Sequence, residues 1–237
     1  MNKNPSEAAK FFEAFLPSIP DQNKSTIVFF PPTLDIPAVA NALSKKAVLW
    51  GAQNCHFESS GAFTGENSPL VLSQMGARYV LVGHSERRSL FFENDELLSK
   101  KVPAIQREGM TPMLCVGETL SQREKGETAK VITDQLVLGL KNTIEAAPFV
   151  IAYEPVWAIG TGKVAEPEQA EEAHRILRER IAQLFGDKTA ATTPILYGGS
   201  VSVKNASNLI ALPNIDGFLV GGASLEPSSF ATICNCC

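Results

Sequence analysis

The sequence predicts an α/β fold in which a parallel β-sheet carries helices on its outside. Three observations lead there. Short apolar runs recur along the chain, helix-spaced patterns fill most of the intervals, and polar or glycine-containing residues gather directly after the runs. At 237 residues the chain suits one domain spanning positions 1–237.

The opening segment carries a strong helix start. Asn4 can cap, Pro5 fits the first helical position, and Glu7 stands where a capping-box carboxylate reaches back. Ala8, Phe11, Phe12, Phe15 and Leu16 then recur at helical spacing and form one apolar face. A strand-like run from Thr26 to Phe30 ends at Pro31-Pro32, and a helix pattern follows from Asp35 to Leu43. Further buried strands are expected at Ala47–Leu49, Tyr79–Val82, Pro112–Val116, Phe149–Tyr153, Ile195–Tyr197 and Gly217–Val220. The clearest later helices span Lys130–Ile144 and Glu168–Phe185, and Pro103 should kink or end its helix because it lacks a backbone donor. These elements make seven strand–helix units preceded by one helix without a strand of its own. Periodicity leaves a closed barrel and an open sheet both available.

Composition narrows the function. Hydrophobic residues make up 44% of the chain, which excludes a mostly disordered protein. The net charge of −4 and the lack of a long basic run argue against nucleic acid or an anionic membrane surface as partner. No apolar stretch approaches the ~20 residues that span a bilayer. Five cysteines, an odd number, with no signal peptide ahead of them, point to a reducing, cytoplasmic setting. The tail Cys234-Asn235-Cys236-Cys237 has no second cluster to complete four ligands, so it reads as an incidental terminus and not as a metal site.

The chemistry concentrates after the strands. Glu154 ends an apolar run, and Pro155 to Lys163 mix small, flexible residues with apolar ones, as a lid over a ligand would. A carboxylate under a lid suits a general base whose basicity rises as water leaves. His84, in Gly83-His84-Ser85-Glu86-Arg87-Arg88, follows another strand at a helix start, where an imidazole is disfavoured as a cation and can act neutral. His56 and His174 are assigned no chemistry. Two glycine-rich turns, Gly198-Gly199-Ser200 and Gly221-Gly222-Ala223-Ser224, would let backbone N–H groups approach a phosphate.

Together these segments resemble the triosephosphate isomerase family. The resemblance rests on Tyr153-Glu154-Pro155-Val156-Trp157-Ala158-Ile159-Gly160-Thr161-Gly162, on the His84 and glycine-turn motifs, and on Cys115-Val116-Gly117-Glu118-Thr119 and Gly51-Ala52-Gln53-Asn54. It runs from Met1 to about Phe230. It implies a (β/α)8 TIM barrel and the interconversion of dihydroxyacetone phosphate and glyceraldehyde 3-phosphate through an enediolate, with no metal or organic cofactor. It further implies that Glu154 moves the proton between the two carbons, and that His84 polarises and shuttles protons at the oxygens. Backbone groups of Gly160, Ser200, Gly221 and Gly222 would hold the phosphate, while Ile159 and Leu219 would roof Glu154. The loop Gly61–Glu66 resembles the family's dimer loop, with Thr64 entering a neighbouring subunit's site, so a homodimer is implied.

One departure stands at the start. The family opens with an apolar strand ending in Asn-x-Lys-Met-Asn, and Met1-Asn2 match only its last two residues. Strand 1, a substrate-contacting asparagine and an electrophilic lysine near Glu86 are thus without counterparts, and seven strands with eight helices are expected. A missing strand would leave its neighbours ~10 Å apart and apolar surface open to water. Loss of the lysine would lower turnover by ~10²–10³, by analogy with removing an oxyanion donor. Two accounts follow: a coding sequence that begins upstream, or a truncated, catalytically impaired chain acting as a binding or structural protein. The intact remaining motifs favour the first, and the missing strand favours the second. Another phosphate-binding barrel isomerase would fit the glycine turns but not the lid with its Glu154.

Overall fold

The computed structural model describes residues 1–19, 25–159 and 165–237. It contains seven parallel strands paired in sequence order: β1 (Val28–Phe29), β2 (Leu49–Ala52), β3 (Tyr79–Val82), β4 (Thr111–Val116), β5 (Val150–Tyr153), β6 (Ile195–Tyr197) and β7 (Gly217–Phe218). Among the described residues the helices fall into eight groups. These are α1 (Pro5–Phe15), α2 (Ile36–Ala42), α3 (Pro69–Gln74), α4 (Ser85–Leu90) with α5 (Asp95–Arg107), α6 (Leu120–Glu124) with α7 (Thr128–Gly139), α8 (Pro167–Phe185) with α9 (Asp187–Thr192), α10 (Ala206–Ile210), and α11 (Pro227–Cys234). The expected TIM-type α/β architecture is what the chain adopts, with seven strands and eight helical groups among the described residues.

Helix α1 begins as its residues dictate. The Asn4 side chain accepts from the N–H groups of Ser6 and Glu7, and the Asn4 N–H donates to Glu7 Oε2 at 2.9 Å, completing a capping box. Its apolar face, Ala8, Phe11, Phe12 and Phe15, is buried. Phe29 of β1 meets Phe12 and Phe15 with ring centroids 4.9 and 5.1 Å apart, and Phe230 of α11 closes on Phe29 at 5.2 Å and Phe15 at 5.6 Å. Helix α1 therefore lies between α2 and α11, and aromatic rings seal the seam where the first and last elements meet. The flanking segments are nonetheless only half-buried: Val28, Phe29 and Phe30 on one side and Phe218, Leu219 and Val220 on the other keep part of their apolar surface open, as a missing strand would leave them.

Two layers of apolar packing result. One joins the helices to the outside of the sheet, with Leu98, Ile105, Ile132, Leu136, Leu177 and Ile181 fully buried. The other lines the inside, where Leu81, Met113, Cys115, Val150 and Ala152 pack with Phe30, Leu196 and Leu219.

Three expectations need correction. Helix α5 does not end at Pro103 but runs through it to Arg107. The carbonyl of Ser99, deprived of its helical partner by the proline, accepts from Asn142 Nδ2 at 3.3 Å instead. Strand β2 sits later than Ala47–Leu49, because Gly51 belongs to it; a Cβ at Gly51 would collide with the Tyr79 carbonyl. Helix α7 stops at Gly139, well before Ile144, whose N–H donates to Gln106 Oε1 at 2.9 Å.

Candidate active site

Glu154 follows β5 directly, and its N–H donates to the Val116 carbonyl at 2.8 Å, extending the ladder past the end of β4. His84 follows β3 and serves as the N-cap of α4. The two side chains meet: His84 Nε2 lies 3.0 Å from Glu154 Oε1. The other carboxylate oxygen, Oε2, accepts from the backbone N–H of Ser85 at 2.9 Å, and Ser85 Oγ lies 3.3 Å from Oε1. Glu154 is only 2% exposed, so these donors replace the water it would otherwise bind.

The ring's tautomer follows from its partners. Glu86 N–H faces His84 Nδ1 at 3.4 Å, which makes Nδ1 an acceptor and leaves the proton on Nε2, pointing at the carboxylate. Burial opposes a charge on His84, but the hydrogen bond and negative charge of Glu154 outweigh it and hold the imidazole above its ordinary range. That upward shift depends on Glu154 staying where it is.

Glycines shape the space around the carboxylate. A Cβ at Gly198 would lie 3.0 Å from Glu154 Cγ and 3.7 Å from the Leu219 side chain, so only glycine leaves Glu154 its room. Leu219 thereby stands one small residue away from the carboxylate stem. Ile159, half-buried, follows the 3-10 turn Val156–Ala158. Gly160 to Lys163 of the expected lid lie outside the described residues.

Ser200 Oγ donates to the Ala158 carbonyl at 2.7 Å, joining the loop after β6 to the segment that follows Glu154. Gly221 and Gly222 precede and begin the 3-10 turn Gly222–Leu225 after β7, and among the described residues nothing beyond their chain neighbours lies within 4 Å of a Cβ built on either. Glu86 is largely exposed, its carboxylate 4.0 Å from His84 Nδ1. Thr64 is exposed in the 61–66 loop, whose Phe63 ring stacks on His56 at 4.0 Å.

A family model of triosephosphate isomerase matches residues 1–237. Among similar proteins, a triosephosphate isomerase of Bdellovibrio bacteriovorus is 49% identical over 233 residues, covering 98% of this chain and 95% of that protein. Those of Lactobacillus delbrueckii subsp. bulgaricus and Thermoanaerobacter pseudethanolicus are each 46% identical over 237 residues, covering 99% of this chain and 94% and 95% of their own lengths.

The chain belongs to the triosephosphate isomerase family.

Within this family member the structure adds residues to which the sequence alone gave no role. Ser85 supplies two of the donors on Glu154. Glu118, fully buried after β4, accepts from Tyr153 Oη at 3.1 and 3.2 Å, Trp157 Nε1 at 2.9 Å and Arg123 Nη1 at 3.2 Å. It thus fixes the residues on both sides of Glu154. Arg88 bonds the carbonyls of Gly83 and Cys115 and the Asp95 carboxylate, anchoring the turn that presents His84. Glu118 stood in a quoted motif and Ser85 beside His84, but their bonds to distant partners leave no trace in local spacing. No helix among the described residues is long and apolar enough to cross a membrane, and no group of His, Cys, Asp and Glu there could hold a metal ion.

Proposed function

We propose that the chain interconverts dihydroxyacetone phosphate and D-glyceraldehyde 3-phosphate by proton transfer. The observation that carries this reading is the 3.0 Å contact between Glu154 and His84 at the ends of β5 and β3. Glu154 leaves Ser85 and His84, takes a proton from the carbon beside the carbonyl, and returns it to the adjacent carbon of the enediolate. The Nε2–H of His84 donates to the carbonyl oxygen as charge develops there, passes its proton to that oxygen and takes up the proton of the neighbouring hydroxyl, so that one carbon becomes the carbinol as the other becomes the carbonyl. As Glu154 moves away, the influence that raises the imidazole's proton affinity weakens, which favours a neutral donor. A proton shift between adjacent carbons is redox-neutral, so the proposal invokes no organic cofactor or metal.

The phosphate is held by backbone groups of Gly160, Ser200, Gly221 and Gly222. The open space in front of Gly221 and Gly222 supports this, since a side chain at either would stand between the backbone and an anion. Ile159 and Leu219 exclude water from Glu154, and Glu86 keeps His84 in the required tautomer through its N–H. The working form is a cytoplasmic homodimer in which Thr64 of the 61–66 loop reaches the neighbouring subunit's site. Phe63 in that loop, Leu90 at the end of α4, and Phe91 and Phe92 after it are large apolar side chains left exposed on the single chain, as an unpaired interface would be.

Replacing Glu154 by Gln tests the proposal. Turnover of either triose phosphate should fall by ~10²–10⁴, the usual worth of a positioned general base, while inorganic phosphate binding changes little. Wild-type turnover by Glu154→Gln would remove Glu154 from its role.

A further inference from the structure

The end of α11 gathers three thiols that the isomerase reading does not use. Cys234 is buried in the outer apolar layer, and Cys236 and Cys237 are half-buried beside it. The Cys237 N–H donates to the Cys234 carbonyl at 3.4 Å, closing a turn between them. Such a turn holds its first and fourth Cα atoms within about 7 Å, and a disulfide spans Cα separations of about 4.4–6.8 Å. Cys236 is engaged elsewhere: its Sγ accepts from Ser207 Oγ and donates to the Thr232 carbonyl, both at 3.3 Å. Cys237 Sγ lies 3.7 Å from the carbonyl of Ile233, the neighbour of Cys234.

We infer that Cys234 and Cys237 are a redox pair that closes to a disulfide by exchange with a low-molecular-weight disulfide, leaving Cys236 a free thiol. The half-buried Cys237 attacks first. Its thiolate displaces one half of the small disulfide as a thiol and forms a mixed disulfide. Cys234 then attacks the Cys237 sulfur, the second half leaves as a thiol, and two protein thiols have been oxidised while one disulfide has been reduced to two thiols. Burial pushes the Cys234 thiol up to about 12, with a smaller contribution from Cys237. Thiols held protonated attack slowly, but the disulfide they form resists reduction, because the reduced pair gains nothing from thiolate stabilisation.

The test is incubation of the native protein with excess oxidised glutathione, followed by alkylation and tryptic mass analysis. The peptide from Asn205 to Cys237 contains no Lys or Arg and carries all three thiols. It should lose two hydrogens and take one alkyl group, placed by fragmentation on Cys236, and dithiothreitol should reverse the loss. Cys236→Ser should still close the bridge. Cys237→Ser, which changes a half-buried side chain, should abolish it, and Cys234→Ser should stop at a glutathione adduct on Cys237. A bridge between Cys236 and Cys237, a stable adduct on Cys236 with the other two thiols alkylated, or no reaction would each overturn the inference.

Discussion

Glu154 Oε1 and His84 Nε2 meet at 3.0 Å although a strand, β4, separates the strands that carry them. Gly117 follows β4 directly and packs against the Glu154 backbone. A Cβ on Gly117 would collide with the Glu154 carbonyl, so the backbone at that point has no room for a side chain. The carboxylate reaches back to Ser85 and His84, which share its two oxygens. Its resting position is therefore specified by the turn after β3, and leaving that position exchanges strong, charge-assisted hydrogen bonds for contacts to substrate.

His84→Gln should lower kcat/KM by ~10²–10⁴ with the far-ultraviolet circular dichroism unchanged, because the ring's donor is lost while the α4 turn stays anchored through Arg88. Steady-state kinetics in both directions measures it. A loss confined to KM would show that His84 only binds.

Lys101→Met should destabilise the fold by about 3 kcal/mol in urea unfolding. Lys101 Nζ is buried 2.6 Å from Glu93 Oε1 and 2.7 Å from Asn54 Oδ1, and Arg87 Nη2 is the second cation on Glu93 at 2.9 Å. Burial alone would raise Glu93, but bonds to Arg87 and Lys101 hold its carboxyl below the usual range. Without Lys101 the carboxylate keeps one cation in a largely dry site. Adding Glu93→Gln to Lys101→Met should recover part of the loss; strict additivity would disprove the coupling.

His174 should make the fold acid-sensitive between about pH 6.5 and pH 4. It is fully buried in α8 between the rings of Tyr153 and Tyr197, and its Nδ1 lies 3.2 Å from the Asn214 carbonyl. Nε2 has no hydrogen-bond partner among the described residues. Burial pushes its pKa down to about 4 against the influence of Asn214, Asp216 and Glu171, while Arg178 adds to the depression. The unfolded chain, with an ordinary histidine, takes up this proton as pH falls through about 6.5, but the folded chain does so only near 4. Stability is thus complete above that window and falls by roughly 3 kcal/mol across it. His174→Phe should flatten the slope of unfolding free energy against pH by about one proton; an unchanged slope would refute the assignment.

Phe15→Ala should cost about 3–5 kcal/mol by thermal or chemical unfolding, because the ring is fully buried in the seam between α1, β1 and α11. Leu34→Ala, whose side chain is exposed, is the matched control and should change stability little in the single chain.

Much of this was legible in the residues. The α1 cap, the alternation of strands and helices, and the positions of His84 and Glu154 at the ends of β3 and β5 follow from local patterns, so they could be read in order along the chain. What escaped was decided by partners far away in sequence. Pro103 is tolerated because Asn142 takes over an orphaned carbonyl, Gly51 is a strand residue because Tyr79 crowds it, and Glu118 matters because Tyr153, Trp157 and Arg123 converge on it. None of those pairings has a spacing that a periodicity could reveal.

The phenylalanine seam carries a kinetic consequence. Phe15 and Phe230 are separated by nearly the whole chain, so their contact carries a large loop-closure entropy and forms only after α11 has been synthesised. Interactions of that kind belong to the late side of the folding barrier. Weakening them should accelerate unfolding far more than it slows folding, so the join between the first and last helices sets how long the folded molecule lasts more than how fast it forms.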